Sequence, residues 1–399
     1  MERKVRIISI SGQPLSGKST AIDKMTELLK EKGIKEEDIH VVSVGKKFRE
    51  YFNKIMDLAN DLKNKSKEEL KEISVDEELR QFCSNQLLRK EMKDALVNLL
   101  MSDFDFNKFD IEKANNSPEL KEIRDLIDTI VDTKVAELGE EAIKNNKENE
   151  VWIMDSRLAF SNIPESFAVR LTVRDDVAGK RLFEGTRKRG KEDNNYADVK
   201  EAMEKTIKRG QGEEIRYKER YGVELSNEDN YNLIIDTSFS NVDDIAKTIL
   251  TCEECEREGK LYSRNWASPK IFIPTQSADK MKYRFDPYLE KLEKEGYAPN
   301  LSIDTIKTDE DIYVINDGHT RLSVLAYNGV TLIPYHVYKF EADTAKTLGC
   351  TKGYYLADVE ECFRCGKNPE PNFSYEDIYP GIYDRIREAN KKQKDEEER

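Results

Sequence analysis

The sequence predicts an α/β protein: a mostly parallel sheet with helices on both faces and a helical insertion, then a smaller C-terminal α/β unit. Three observations predict it. Short apolar runs alternate with helical stretches through the first 250 residues, as strands joined by crossover helices do. A glycine loop, Gly12-Gln13-Pro14-Leu15-Ser16-Gly17-Lys18-Ser19, joins the first apolar run to the first helical stretch. After Leu250 the texture changes, and a second, shorter alternation begins.

Val5–Ile10 reads as a strand, Thr20–Lys30 as a helix, His40–Ser43 as a second strand, and the stretch holding Phe48 and Leu58 as a second helix. Residues 60–148 are almost wholly helical in pattern. Leu87, Leu88, Met92, Leu96, Leu99 and Leu100 recur at helical spacing, as do Leu126, Ile127, Ile130 and Val131. The Asp- and Asn-rich segment around Met101–Ser117 reads as a loop. Strands return at Val151–Met154, Ala168–Val173 and Tyr231–Ile235. This first domain is expected over residues 1–250, with its helical insertion at about 56–115 and a lid at about 176–215.

Residues 251–268 form a Cys-x-x-Cys linker, and 269–345 the second unit. Its elements are Ile271–Ile273, a helix Phe285–Glu295, a strand Ile312–Ile315, a turn at Asp317-Gly318-His319, an apolar helix to Tyr327 and a strand Leu332–Val337. Residues 346–399 are an extension with a second Cys-x-x-Cys and a charged end, expected as a frayed helix or disordered tail.

The chain has 399 residues, enough for two or three domains. Its net charge of −13 argues against nucleic acid as a partner. No apolar run approaches the roughly 18 residues of a membrane span. The start, Met-Glu-Arg-Lys-Val, runs straight into a strand, so no secretory signal is expected. Six cysteines in such a chain point to thiols or metal ligands and a cytosolic compartment. The oligomeric state is left open.

The loop matches the pattern G-x-x-x-x-G-K-[ST] in the strand–loop–helix context that the pattern needs. Gly12 and Gly17 let the backbone wrap closely around phosphates, and successive N–H groups form a nest for anionic oxygens. The helix that follows adds the positive end of its dipole. Lys18 reaches β- and γ-phosphates, Ser19 ligates Mg²⁺, and Ser16 and Thr20 complete the cradle. A bound nucleoside triphosphate is the expectation. A phosphoryl acceptor also needs holding, and arginine forks suit that task. Candidates are Arg49 after the second strand, Arg157 after the third, and the basic stretch with Arg181, Arg187 and Arg189, followed by Arg209 and Arg216. Six Lys and Arg fall among the twelve residues 180–191 and would repel one another without an anion.

At these residues the chain resembles the cytidylate kinases. The resemblance is carried by Ile8-Ser9-Ile10-Ser11-Gly12…Gly17-Lys18-Ser19-Thr20, Ser43-x-Gly45-x-x-Phe48-Arg49 and Asp155-x-Arg157-Leu158-Ala159. It continues in Arg216-Tyr217-x-x-Arg220-Tyr221-Gly222 and Asn230-Tyr231-x-Leu233-x-Ile235-Asp236-Thr237-Ser238. It implies a nucleoside monophosphate kinase-like fold with a lid, and transfer of the γ-phosphoryl of ATP to CMP or a similar monophosphate. Ser43, Gly45 and Arg49 would form the monophosphate pocket, with Asp155 and Arg157 on its base or phosphate. Arg181 and Arg187 would clamp from the lid, and Arg216 would complete the clamp. Ser156 stands where such enzymes have glycine, and the lid spacing departs from theirs. The alternatives are a nucleotide-sensing regulatory protein and a kinase for a small molecule other than a nucleotide.

The box Val314-Ile315-Asn316-Asp317-Gly318-His319-Thr320-Arg321-Leu322 resembles that of ParB/sulfiredoxin-like domains. It implies a second nucleotide or phosphate site at Asp317, Gly318, His319, Thr320 and Arg321, against a purely structural domain in which His319 caps the turn. Cys252-x-x-Cys255 and Cys362-x-x-Cys365 flank this unit. Each pair can take one edge of a zinc tetrahedron, so a structural Zn²⁺ stands against unpaired thiols. Cys83 and Cys350 are expected to be buried and inert.

Overall fold

The computed structural model describes residues 4–66, 68–69, 75–81, 83–102, 104, 118–188, 196–276, 278–296, 298–308, 310–338 and 348–398. The fold is α/β with mostly parallel strands. The chain groups into two compact units: Met1–Ser11 with Ile34–Ser166, and Gly12–Gly33 with Phe167–Arg399.

In the first unit, β1 (Arg6–Gly12), β2 (Ile39–Ser43) and β3 (Val151–Asp155) lie in the order β2-β3-β1, all parallel. Ile7, Ile8 and Ile10 of β1 are wholly buried, so both faces of the strand are covered. Ser9 and Ser11 are buried with them, so the strand has no solvent-facing side. The parallel register sets Ser43 opposite Asp155 at the carboxyl ends of their strands.

The unit's helices are α2 (Val44–Leu62), α3 (Asp76–Arg80), α4 (Gln86–Met101), α5 (Lys121–Asn145) and the short α6 (Ala159–Asn162). Phe52, Ile55, Leu79, Met92, Leu96 and Ile127 fill the core between them. Each such side chain gains about 1.5–3 kcal/mol from leaving water. Asn85 caps α4, its side chain accepting from Leu87 N at 2.9 Å. The buried Arg89 ties α4 to α3 through Asp76 at 2.7 Å and donates to Cys83 O at 3.0 Å. The loop expected around 101–117 lies almost entirely outside the described residues.

The second unit opens with α1 (Lys18–Glu31) and continues with β4 (Phe167–Thr172), α7 (Asp175–Lys188), α8 (Val199–Tyr221), β5 (Leu233–Asp236) and α9 (Val242–Arg257). Next come β6 (Asn265–Ala267), β7 (Phe272–Ile273), α10 (Ala278–Glu295), β8 (Ile303–Lys307), β9 (Tyr313–Asp317), α11 (His319–Tyr327) and β10 (Ile333–Tyr338). Three helices close it: α12 (Gly353–Cys365), α13 (Tyr375–Ile378) and α14 (Ile382–Glu397). The charged end of the chain is thus helical as far as Glu397.

Its strands run β4-β5-β6-β10-β8-β9-β7. Pairing is antiparallel between β6 and β10 and between β8 and β9, and parallel at the other described junctions. The domain boundary expected near residue 250 falls inside this unit, because β6 pairs with β5 on one side and β10 on the other. Phe272, Leu356, Tyr375 and Ile382 lie in the core of its C-terminal half. Among the described residues, no helix is long and apolar enough to cross a membrane.

Candidate functional site

The glycine loop leaves β1 at Gly12 and enters α1 at Lys18. A methyl group on Gly12 would stand 2.6 Å from Leu171 O and 2.9 Å from Ser16 Oγ, so only glycine lets the loop turn back here. Gly17 caps α1 with a φ of 81°, in the left-handed region that glycine enters freely. Leu15 adopts a φ of 63°, which costs a residue with a Cβ about 1 kcal/mol. Gln13 fastens the loop to β4: its N–H donates to Leu171 O at 3.1 Å, and its side-chain oxygen accepts from Val173 N at 2.8 Å.

Lys18 Nζ donates to Gly12 O at 3.0 Å, which carries its charge across the loop. Ser19 and Thr20 are exposed in the first turn of α1. Ser16 is buried, and its Oγ has no hydrogen-bond partner among the described residues. A buried polar group left so costs about 1–3 kcal/mol. The loop therefore presents donors: backbone N–H groups at a helix start and an ammonium.

Polar residues that follow β5 support the loop. Thr237 Oγ1 lies 3.0 Å from both Ser16 O and Thr172 O. Arg181, on α7, donates to Leu15 O at 3.0 Å and to Thr237 O at 2.6 Å. Burial pulls the Arg181 guanidinium below its ordinary pKa, and Asp236 acts against that. Asp236 itself is half-buried, and its desolvation pushes the carboxyl up, although Ser238 N (2.8 Å) and Ser238 Oγ (2.5 Å) both donate to Oδ1. Asp236, Thr237 and Ser238 were not read as site residues from sequence. The sequence carries a signal for them: an apolar strand that ends in Asp236 and is followed directly by Thr237 and Ser238.

The remaining residues fall in several places. In the first unit, Ser43 Oγ donates to Asp155 Oδ2 at 2.9 Å, so two of the expected acceptor-pocket residues do meet. Gly45 and Arg49 are exposed at the start of α2, and Arg157 is half-buried just past β3. In the second unit, Arg216 is exposed on α8 with its guanidinium 5.3 Å from the Tyr217 ring centre. Arg187 lies within α7, but its side chain is outside the described residues, as is Arg189.

At the C-terminal box, Gly318 caps α11 and Thr320 lies in its first turn. Arg321 pairs with Asp317 at 3.2 Å, and His319 is buried. Burial lowers the His319 pKa from 6.5 to about 4.

The zinc expectation is corrected. Among the described residues, no group of three or more His, Cys, Asp or Glu side chains is placed to hold a metal ion. Cys252 and Cys255 are buried on α9, while Cys362 and Cys365 lie on α12. Burial pushes the Cys252 thiol strongly up and the Cys362 thiol to about 12. Cys83 is buried as expected, but Cys350 is exposed.

No family model matches the chain. The chain is 33% identical over 106 residues to the S-adenosylmethionine-dependent nucleotide dehydratase of Lacinutrix mariniflava, a match covering 27% of this chain and 20% of that protein. The chain thus spans about one fifth of the length of the curated relative it matches. The finding corrects the expected reaction. The similarity leads to a nucleotide dehydratase that depends on S-adenosylmethionine, and away from an ATP-dependent kinase. The expectations of a kinase or transferase, of ATP and of Mg²⁺ at Ser19 fall with it.

Proposed function

We propose that the chain is an enzyme acting on a nucleotide, and that the Gly12–Thr20 loop holds the nucleotide's phosphate groups. The observation that carries this reading is the loop's geometry: it turns back at Gly12 against Leu171 O, caps α1 with Gly17 and holds the Lys18 ammonium across itself. The start of α1 and the Lys18 ammonium favour negative charge there. The relative's name supports the same substrate class, since it too acts on a nucleotide.

S-adenosylmethionine does not fit this loop. Its reactive centre is a sulfonium cation, and the loop offers a cation and donors, which select anions. The loop is therefore assigned to the nucleotide.

The test is binding of inorganic pyrophosphate and of the ribonucleoside mono-, di- and triphosphates, by calorimetry and by thermal shift. Binding by the wild type that Lys18→Ala weakens by about tenfold or more supports the reading. Absence of binding to every one of these probes overturns it. Mass analysis of each nucleotide after incubation, with and without S-adenosylmethionine, then looks for loss of water.

A further inference from the structure

We infer that Thr237 and Arg181 are positioning residues for the phosphate-holding loop, aiming its peptide N–H groups by fixing the carbonyls behind them. The inference rests on the reading that this loop holds nucleotide phosphates.

A trans peptide carries its C=O and N–H in opposite directions, so fixing one aims the other. The Thr237 hydroxyl shares its single proton between Ser16 O and Thr172 O, each 3.0 Å away. With Ser16 O held by Thr237, the N–H of Gly17 is turned away from that side. Arg181 acts on the preceding peptide: Nη1 donates to Leu15 O at 3.0 Å. The paired N–H, on Ser16, donates to Gln13 O at 3.2 Å and closes the turn. Leu15 needs such support because its φ of 63° is unfavourable for a side chain with a Cβ.

The two residues also brace each other. Arg181 Nη1 lies 3.3 Å from Thr237 Oγ1, and Nη2 donates to Thr237 O at 2.6 Å and to Ser238 O at 3.4 Å. Four contacts from one planar fork set its direction, which a lysine with a single point of attachment does not reproduce. Each hydrogen bond of the fork described here ends on a neutral oxygen, and the Asp236 carboxyl stabilises its charge from nearby.

The experiment measures pyrophosphate affinity of the full chain by calorimetry, with thermal unfolding as the structural control. Thr237→Val keeps the shape and removes the hydroxyl, and Thr237→Ser restores it. The expected result is that Thr237→Val and Arg181→Lys each weaken binding by about tenfold, while Thr237→Ser stays close to wild type. Rescue by serine separates positioning from mere packing, because serine loses the methyl and keeps the donor. Wild-type affinity in Thr237→Val, with Lys18→Ala impaired, overturns the inference and leaves the phosphate site standing. If Thr237→Val does not fold, unchanged affinity in Arg181→Lys overturns it. A wild type that binds no pyrophosphate and no nucleotide overturns both readings together.

Discussion

Thr275 N donates to Nε2 of His319 at 3.0 Å, and the Thr275 hydroxyl stands 2.9 Å from the same nitrogen. A ring nitrogen that accepts a backbone N–H carries no proton, so the neutral imidazole holds its proton on Nδ1. This contact joins the end of β7 to the start of α11. His319 thus acts as a fixed acceptor within the core of the C-terminal half.

The pH dependence follows from that contact. Burial lowers the His319 pKa from 6.5 to about 4, with the Asp317 charge pulling the other way. A base whose folded pKa is depressed gives stability that is complete above its unfolded value and lost as pH falls through the folded one. The window is therefore pH 6.5 down to about 4. The contribution is on the order of 3 kcal/mol at its full extent. Denaturant melts across this window should fall less steeply for His319→Gln than for wild type, because glutamine accepts from Thr275 N without titrating. Parallel slopes would remove His319 as the cause.

Gly12 is the position where the loop tolerates no side chain. Alanine there places a methyl group 2.6 Å from the backbone oxygen of Leu171, which cannot move without shifting β4. Gly12→Ala should cost about 1–3 kcal/mol of stability and abolish pyrophosphate binding. Denaturant midpoint and calorimetry check the two halves separately. A variant that binds as the wild type does would show that the loop reaches phosphate in some other conformation.

The thiols should sort by burial. Cys350 and Cys365 are exposed, whereas Cys252 is buried with its pKa pushed up, and Cys362 is held up to about 12. Iodoacetamide at pH 8 attacks thiolates, so Cys350 and Cys365 should be alkylated in the folded chain and Cys252 and Cys362 only after unfolding. Peptide mass analysis at timed intervals reads this directly. Equal rates at Cys252 and Cys365 would contradict the placement.

Much of the first strand, the glycine loop and α1 was legible in the sequence, because each has a local cause. Ile7, Ile8 and Ile10 need burial, and Gly17 takes the left-handed φ of 81° at the start of α1, whereas the crowding at Gly12 comes from Leu171 and belongs to the tertiary structure. The strands β6 and β8 were missed. Asn265–Ala267 has three residues and no periodicity to read, and Ile303–Lys307 mixes Asp, Thr and Lys among its apolar positions. Their strand character comes from the neighbours that pair with them. The resemblance implies a lid clamp at Arg181, whereas the fold turns its fork onto the carbonyls of Leu15, Thr237 and Ser238.

The sequence by itself determined where a loop of donors must form, since glycine spacing, a lysine and a helix start act over eight consecutive residues. It also determined the α/β alternation, through runs long enough to show a period. Only the tertiary structure decided what stands behind that loop. Thr237 and Ser16 are 221 positions apart and meet because Gln13 fastens the loop to the end of β4, which pairs in parallel with β5. Ser43 and Asp155, 112 positions apart, meet for the same reason at the ends of β2 and β3. Contacts between residues so distant in the chain depend on strand order and register, which no local pattern encodes.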